Sequence, residues 1–588
     1  MMRPQVLSKD PLSITIIASC VIGCALLALT PTNTLAEFFA DPDRVQNLGR
    51  IPPATLAGAL HLRVVAGVGA CVWILGGIAL HRMLLKMPES QRSNAFTRPA
   101  WLCILAAIKL GALLRILHAR ESLWYDEISA LVSFIRNGTG PILGNWFVPT
   151  NHVPQSLLSW WSVQAFGGIS EWSLRFPMIA VGTLGIWFAA LLGRELATPR
   201  AGVLCAFAMA LCPIAVLEGA EARGYAIVIT MSTAVCWCAA RLAHTPTMRS
   251  ALGLALFGAL ATWAHPIASF LLIGIGAIAL VRCFNRDVRA QNIVTLLACV
   301  LAAVTSAVLL APLSGDFLAT RADYARTHEG QLSIISAEGL AFLRGIGGDW
   351  FDPYFLLTAF VLALACTVAS RARHMLLAVA IGVLLAIAAS TCMETWIYAR
   401  FLLFVVPATV LCIGVGADSI LALTRGARRT IALALLCLLA LAWTMRPLAL
   451  PPKQPIRDAV ARVAESAKQS KPTIIAIGLP DDAVGYYALA SSIPSRASGV
   501  FGVDFARIIA SNPARHGIVG AIDGAIDGAI DGAIDGATID ATYAIVLYPD
   551  RIDATARATL TAQFERIDRL QGWADWGAGD VEVWRQIR

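Results

Sequence analysis

The sequence predicts a polytopic α-helical membrane protein, with about thirteen transmembrane helices and a small C-terminal α/β domain. Three observations carry this. Of 588 residues, 57% are hydrophobic and 14% charged, against roughly 25% charged in a soluble domain. The imbalance is local: long apolar runs fill 1–450, whereas 453–588 has the composition of a water-soluble chain. The basic residues sit in short clusters between the apolar runs, as topology signals do.

A helix needs about 20 apolar residues to cross a bilayer. Such runs lie near 12–32, 64–84, 100–118, 174–193, 201–217, 225–241, 251–265, 267–281, 291–312, 355–370, 375–391, 401–423 and 430–446. The stretch 251–281 is too long for one helix and is divided at His265-Pro266, because proline ends or kinks a helix. The first run, preceded by Arg3 and Lys9, reads as an uncleaved span or as a signal peptide cleaved after Thr34-Leu35-Ala36. The span is preferred because the rest of the chain is membrane-embedded.

With the N-terminus in the cytoplasm, alternate connections hold Arg82, Lys86, Arg92 and Arg98; Arg194 and Arg200; Arg241 and Arg249; Arg282, Arg286 and Arg289; Arg371 and Arg373; and Arg425, Arg428 and Arg429. The other connections hold Glu37, Asp41, Asp43, Asp126, Glu127, Glu218, Glu221 and Glu394. This is the positive-inside pattern, and it places the C-terminal domain outside. The organisation expected is thus two N-terminal transmembrane helices (1–99), a transmembrane core (100–450) with outer loops 119–173 and 313–354, and an extracytoplasmic α/β domain (453–588). Leu157, Leu158, Trp160, Trp161 and Phe166 in the first loop suit a helix lying in the membrane interface, for anchoring or for function.

The tail alternates strand-like runs (473–477, 543–547, 581–584) with helical ones (456–467, 554–570), which argues an α/β domain. Within it, 520–536 carries four tandem Ala-Ile-Asp-Gly copies. Glycine at every fourth position opposes a helix, so the segment reads as an expanded loop. The net charge of +8 reflects topology and points to no nucleic-acid partner. All fourteen cysteines precede residue 440, mostly inside apolar runs without metal-ligand spacing, and read as small buried hydrophobes.

Ionisable residues within or beside spans are costly and therefore informative. Lys109 and Arg115 lie in the third span and near its outer end, where Arg115 holds a phosphate or merely snorkels. They lead into Ser122-Leu123-Trp124-Tyr125-Asp126-Glu127, whose paired acids could cap a helix, bind a metal or act as a base. A short turn carries Glu218, Glu221, Arg223 and Tyr225, either a local ion pair or a forked phosphate donor. His152 follows Asn151 in the first outer loop, His265 sits at the helix break, and Arg400 opens a later span. By the charge pattern, Asp126, Glu127, His152, Glu221, Arg223, His265 and Arg400 fall on one membrane side. An acid can polarise a hydroxyl there while cations neutralise a departing phosphate.

These segments, with Arg175-Phe176-Pro177, Gly182 and Ala399-Arg400-Phe401-Leu402-Leu403 before Pro407, resemble the C-type (GT-C) integral-membrane glycosyltransferases. The closest branch is similar to protein O-mannosyltransferases, aminoarabinose transferases and bacterial core-glycan transferases. The resemblance spans about 100–410. It departs where the family's His-Pro-Pro reads His152-Val153-Pro154, and in having two additional spans before residue 100. It implies inverting transfer of a sugar from a polyprenyl-phosphate donor to a hydroxyl acceptor (lipid, glycan or protein) on the outer face of a bacterial inner membrane. It also implies Asp126 as the catalytic base or acceptor-orienting acid with Glu127 assisting, Arg223, Arg400, Lys109 and Arg115 at the donor phosphate, and His152, Glu221, Tyr225 and His265 as weaker substrate contacts. It leaves a divalent cation open, and the sequence commits to no cofactor or metal. A transporter or flippase for a lipid-linked glycan is the alternative. It would place its charges at midplane and repeat its halves, and neither feature is seen.

Overall fold

The computed structural model describes residues 11–87, 95–327, 372–393, 399–467, 473–477, 482–488, 507–510, 542–552, 554–573 and 579–587. The chain is a polytopic α-helical membrane protein, and its described residues include a small sheet near the C-terminus. Its contacts divide it into two units. The first comprises 1–117, 137–157 and 178–447; the second comprises 118–136, 158–177 and 448–588. The acidic motif and the start of the Glu171–Leu196 helix therefore belong with the C-terminal residues.

In the first unit, α1 (Pro11–Leu29) is followed by two short helices that the hydropathy pattern does not announce, α2 (Thr32–Phe39) and α3 (Pro42–Leu48). Then comes α4 (Pro53–Leu84), eleven residues longer at its start than the apolar run beginning at 64. Its 32 residues extend about 48 Å, beyond a hydrocarbon core of roughly 30 Å. Next are α5 (Arg98–His118) and, separated from it by residues of the second unit, α7 (Thr139–Gly144). The helices α8 (Val153–Phe166) and α9 (Glu171–Leu196) are shared between the units, and α9 contains Pro177 at the boundary. The bundle continues with α10 (Pro199–Leu211), α11 (Pro213–Leu217), α12 (Tyr225–His244), α13 (Met248–Ala264), α14 (Ser269–Arg282), α15 (Arg289–Leu310), α16 (Ser314–Thr327), α17 (Ala372–Cys392), α18 (Val406–Leu423) and α19 (Ala427–Ala449).

Helices occupy every apolar run of the sequence except 355–370, which lies outside the described residues, as do the repeat 520–536, most of the loop 313–354, and Glu394. Among the described residues, eight helices are long and apolar enough to span a membrane, and three shorter apolar ones join them. The break foreseen at His265-Pro266 is present: His265 is extended (φ −156°, ψ 119°) and Pro266–Ala268 makes a 3-10 turn. Small residues let helices touch. A Cβ on Gly274 of α14 would lie 1.9 Å from the Ala378 carbonyl of α17, so only glycine fits there. Arg44 of α3 ion-pairs through both terminal nitrogens with Asp316 of α16 (2.9 and 3.0 Å) and donates to Asn145 at 2.9 Å, tying three connections together.

The second unit holds α6 (Tyr125–Ser133) and the C-terminal residues, with α20 (Ile456–Ala467), β1 (Thr473–Ile477), α21 (Asp482–Ala488), β2 (Arg507–Ala510), β3 (Thr542–Leu547), α22 (Ala554–Gln563), β4 (Phe564–Leu570) and β5 (Val581–Gln586). The sheet order is β2-β1-β3-β5-β4, parallel from β2 to β3 and antiparallel beyond. Ile475, Ile477, Ala544, Val546, Leu560, Phe564 and Trp584 form its core. The helix expected over 554–570 is corrected: it ends at Gln563, and 564–570 is an edge strand. The reason is tertiary. Glu582 of β5 is fully buried and accepts from Arg566 of β4 (3.0 Å) and Arg557 of α22 (2.7 Å), which rewards pairing β4 along β5.

Candidate functional site: an acid-bearing helix start and an arginine–histidine cluster

The acidic motif is built by backbone bookkeeping. Trp124 is extended (φ −98°, ψ 171°) and precedes α6, so the first amides of that helix need partners from outside it. Glu127, at the third helical position, reaches back to the Trp124 N–H at 3.1 Å, half of a capping box. Its carboxylate is 1% exposed and is gripped by Arg175 of α9, with Nε to Oε1 at 2.8 Å and Nη2 to Oε2 at 2.5 Å. Arg175, itself 3% exposed, also donates to the carbonyls of Ala119 (3.2 Å), Glu121 (2.5 Å) and Ser122 (2.9 Å). The Glu127 carboxylate is thus the anchor of this loop. Asp126 precedes it by one residue, about 100° around the helix, and is partly exposed in the first turn of α6.

The first unit assembles a different cluster. His152, 6% exposed, faces the Ala264 carbonyl through Nδ1 at 2.8 Å. A carbonyl only accepts, so Nδ1 carries the proton and Nε2 is left as an acceptor. Burial, and then the charge of Arg223, push the imidazole pKa well below its usual range, with His265 and Arg400 adding to the shift; the ring is neutral. Its ring centroid is 5.0 Å from Tyr225 and 5.6 Å from His265, which lies 4.5 Å from Phe401. Arg223, 2% exposed, donates to the Thr150 carbonyl at 2.6 Å and lies 5.8 Å from the Tyr225 ring. Gly224 makes this approach feasible, since a Cβ there would sit 2.6 Å from His152 Nδ1. Arg400 opens the 3-10 turn Ala399–Val405 and is partly exposed. Glu221 is 7% exposed and Glu218 1%, in the same turn as Arg223. So the structure brings His152, Arg223, Tyr225, His265 and Arg400 together, from four separate stretches of sequence.

Of two further expected phosphate ligands, Arg115 is committed to backbone carbonyls and Lys109 is exposed. Arg115 neither snorkels nor offers its fork. It is 1% exposed, and its terminal nitrogens are committed to the carbonyls of Gly111 and Ala215, each at 2.9 Å. Gly182 and Gly219 leave the room it fills: a Cβ would come within 2.9 and 2.6 Å of its Nε. Arg115 thus satisfies the end of α11, where helical carbonyls lack partners. Lys109 is exposed on α5. Six residues are about 600° of helical turn, so Lys109 and Arg115 point to different faces. The carbonyls of Thr150, Ala215 and Ala264 and the ion partner Arg175 are what sequence reasoning missed; for the carbonyls no side-chain letter could have signalled it. Among the described residues, no three His, Cys, Asp or Glu side chains are grouped to hold a metal ion.

No curated protein matches this chain in sequence. Among solved structures it is similar to ArnT from Cupriavidus metallidurans bound to undecaprenyl phosphate, at 12% identity and a TM-score of 0.47, over 84% of this chain and 99% of that one. It is also similar to the archaeal oligosaccharyltransferase AglB from Archaeoglobus fulgidus in complex with an inhibitory peptide and a dolichol-phosphate, at 14% identity and a TM-score of 0.43, over 80% and 73% of the two chains. The family model described as dolichyl-phosphate-mannose-protein mannosyltransferase matches residues 154–311. That segment contains Arg175, the Glu221–Tyr225 turn and His265, and over it the family resemblance carried by the motifs is met by an independent match.

Proposed function

We propose that this protein is an inverting glycosyltransferase that moves a sugar from a polyprenyl-phosphate donor to a hydroxyl acceptor at the outer face of a bacterial inner membrane. The observation that carries the reading is the cluster of Arg223 and Arg400 around a neutral His152, walled by Tyr225 and Phe401. The family match at 154–311, whose description names a dolichyl-phosphate sugar, supports the same donor class. In the reaction, the acceptor oxygen bonds to the anomeric carbon as the carbon–oxygen bond to phosphate breaks. Asp126 takes the hydroxyl proton. The lipid phosphate gains charge, from about −1 as a diester toward −2 as a monoester. Arg223 and Arg400 neutralise that charge, and the burial of Arg223 strengthens its effect. His152 is already held neutral, so it offers an acceptor nitrogen at Nε2 and no competing charge.

The test is Asp126→Asn in the purified full chain, supplied with a polyprenyl-phosphate sugar. Transfer should fall by about 10²- to 10⁴-fold with folding intact. Transfer at the normal rate would refute the role of Asp126. Retained movement of the donor between leaflets, with no transferase activity in the unmutated protein, would favour the transporter. Cysteine labelling that maps Asp126 or Arg223 to the cytosolic face would refute the sidedness.

A further inference from the structure

The residues that open the C-terminal segment do more than link. Four donors between Ser122 and Tyr125 can be followed to their acceptors. The Ser122 hydroxyl donates to the Gln454 carbonyl at 2.5 Å, and the Leu123 N–H donates to the Tyr487 hydroxyl at 2.7 Å. The Tyr125 N–H donates to Gln454 Oε1 at 2.9 Å. The Trp124 N–H stays local, on Glu127. Tyr487 gives its own proton to Glu171 at 2.6 Å, so towards Leu123 it acts as acceptor. Glu171 is held in turn by Arg457 of α20, at 2.8 and 3.1 Å. Gln454 is fully buried, and only its oxygen can answer an N–H, which sets the amide orientation. Lys453 adds its ammonium 4.1 Å from the Trp124 ring.

Tyr125 is the first residue of α6, and its amide is one that no carbonyl of the same helix can reach. Its partner must therefore lie outside the helix. Here it comes from a side chain 329 positions downstream. Asp126 follows directly, so the hold on the Leu123 and Tyr125 amides sets the first turn from which its carboxylate projects. We propose that Gln454 and Tyr487 are positioning residues for Asp126, which makes the C-terminal segment part of the catalytic apparatus. This rests on the transferase reading, in which Asp126 takes the proton.

Three variants of the full chain test it. Gln454→Leu and Tyr487→Phe remove acceptors at nearly constant volume. Each should lower kcat by about 10- to 100-fold while KM for the polyprenyl-phosphate sugar stays within about twofold. Gln454→Glu keeps an acceptor for the Tyr125 N–H. It should recover much of kcat relative to leucine, but shift the acid limb of the pH–rate profile to higher pH, because a second carboxylate disfavours ionisation of Asp126. A purely structural residue would change the amount of folded protein and leave that limb in place. Wild-type kcat and pH profile in Gln454→Glu and Tyr487→Phe, with Asp126→Asn inactive, would overturn the positioning role alone. An active Asp126→Asn would overturn the transferase reading and this inference with it. Should Gln454→Leu fail to fold, the other two decide.

Discussion

Arg175→Met removes the cation that holds the acidic loop. The side chain makes two hydrogen bonds to Glu127 and three to the carbonyls of Ala119, Glu121 and Ser122, all while 3% exposed. Methionine fills similar space but leaves the Glu127 carboxylate buried at 1% exposure with its ion partner gone. Breaking a buried ion pair from one side costs about 3–5 kcal/mol. Most of that penalty is the uncompensated charge, so Glu127→Gln in the same chain should return part of it. The expected interaction energy of the Arg175→Met/Glu127→Gln cycle is about 1–3 kcal/mol. Denaturant unfolding of the full chain in detergent reads the cycle through tryptophan fluorescence, since Trp124 is 1% exposed beside the pair. Transfer activity should fall in parallel, because the Asp126 loop loses its anchor. A single variant within about 0.5 kcal/mol of the unmutated chain, or strictly additive losses, would refute the reasoning.

The remaining expectations concern the first unit. Gly224→Ala would drive a Cβ to within 2.6 Å of His152 Nδ1, and should reduce transfer by at least about tenfold, with a stability loss of about 1–3 kcal/mol on unfolding. Lys109→Met should leave the transfer rate within about twofold, because the side chain is exposed on α5; a large loss would mark it as a donor ligand. The His152 pKa in the folded chain lies below its unfolded value of roughly 6.5, so its contribution is complete above that pH and is lost on acidification. Thermal stability should therefore fall from about pH 6.5 downwards, by up to roughly 1.4 kcal/mol per unit, and His152→Gln should flatten that slope.

Much of the fold is legible because lipid and water impose simple local patterns. Apolar runs of helical length became helices wherever the structure describes them. His265-Pro266 broke α13 from α14 because proline lacks a donor. Three of the five strands followed from short apolar runs between turns. His152, Arg223, His265 and Arg400 were legible as members of a larger set that also held Asp126, Glu127 and Glu221, because ionisable residues next to spans carry a cost that singles them out. The start of α4 and the helices α2 and α3 were not legible: they lie in sequence that hydropathy treats as a connection.

What the order of residues could not contain is the identity of distant partners. Glu127 reads as a second catalytic acid until Arg175 is seen gripping it from α9. Arg115 reads as a phosphate ligand until the Ala215 carbonyl and the space left by Gly182 and Gly219 are seen to receive it. The run 564–570 reads as helix until Glu582 draws Arg566 across to it. In each case the deciding term is satisfaction of a buried charge or backbone group, a cost of about 1–3 kcal/mol or more that exceeds local propensities of a few tenths. Periodicity along the chain measures the propensities. Only the packed structure shows which buried group each charge must answer.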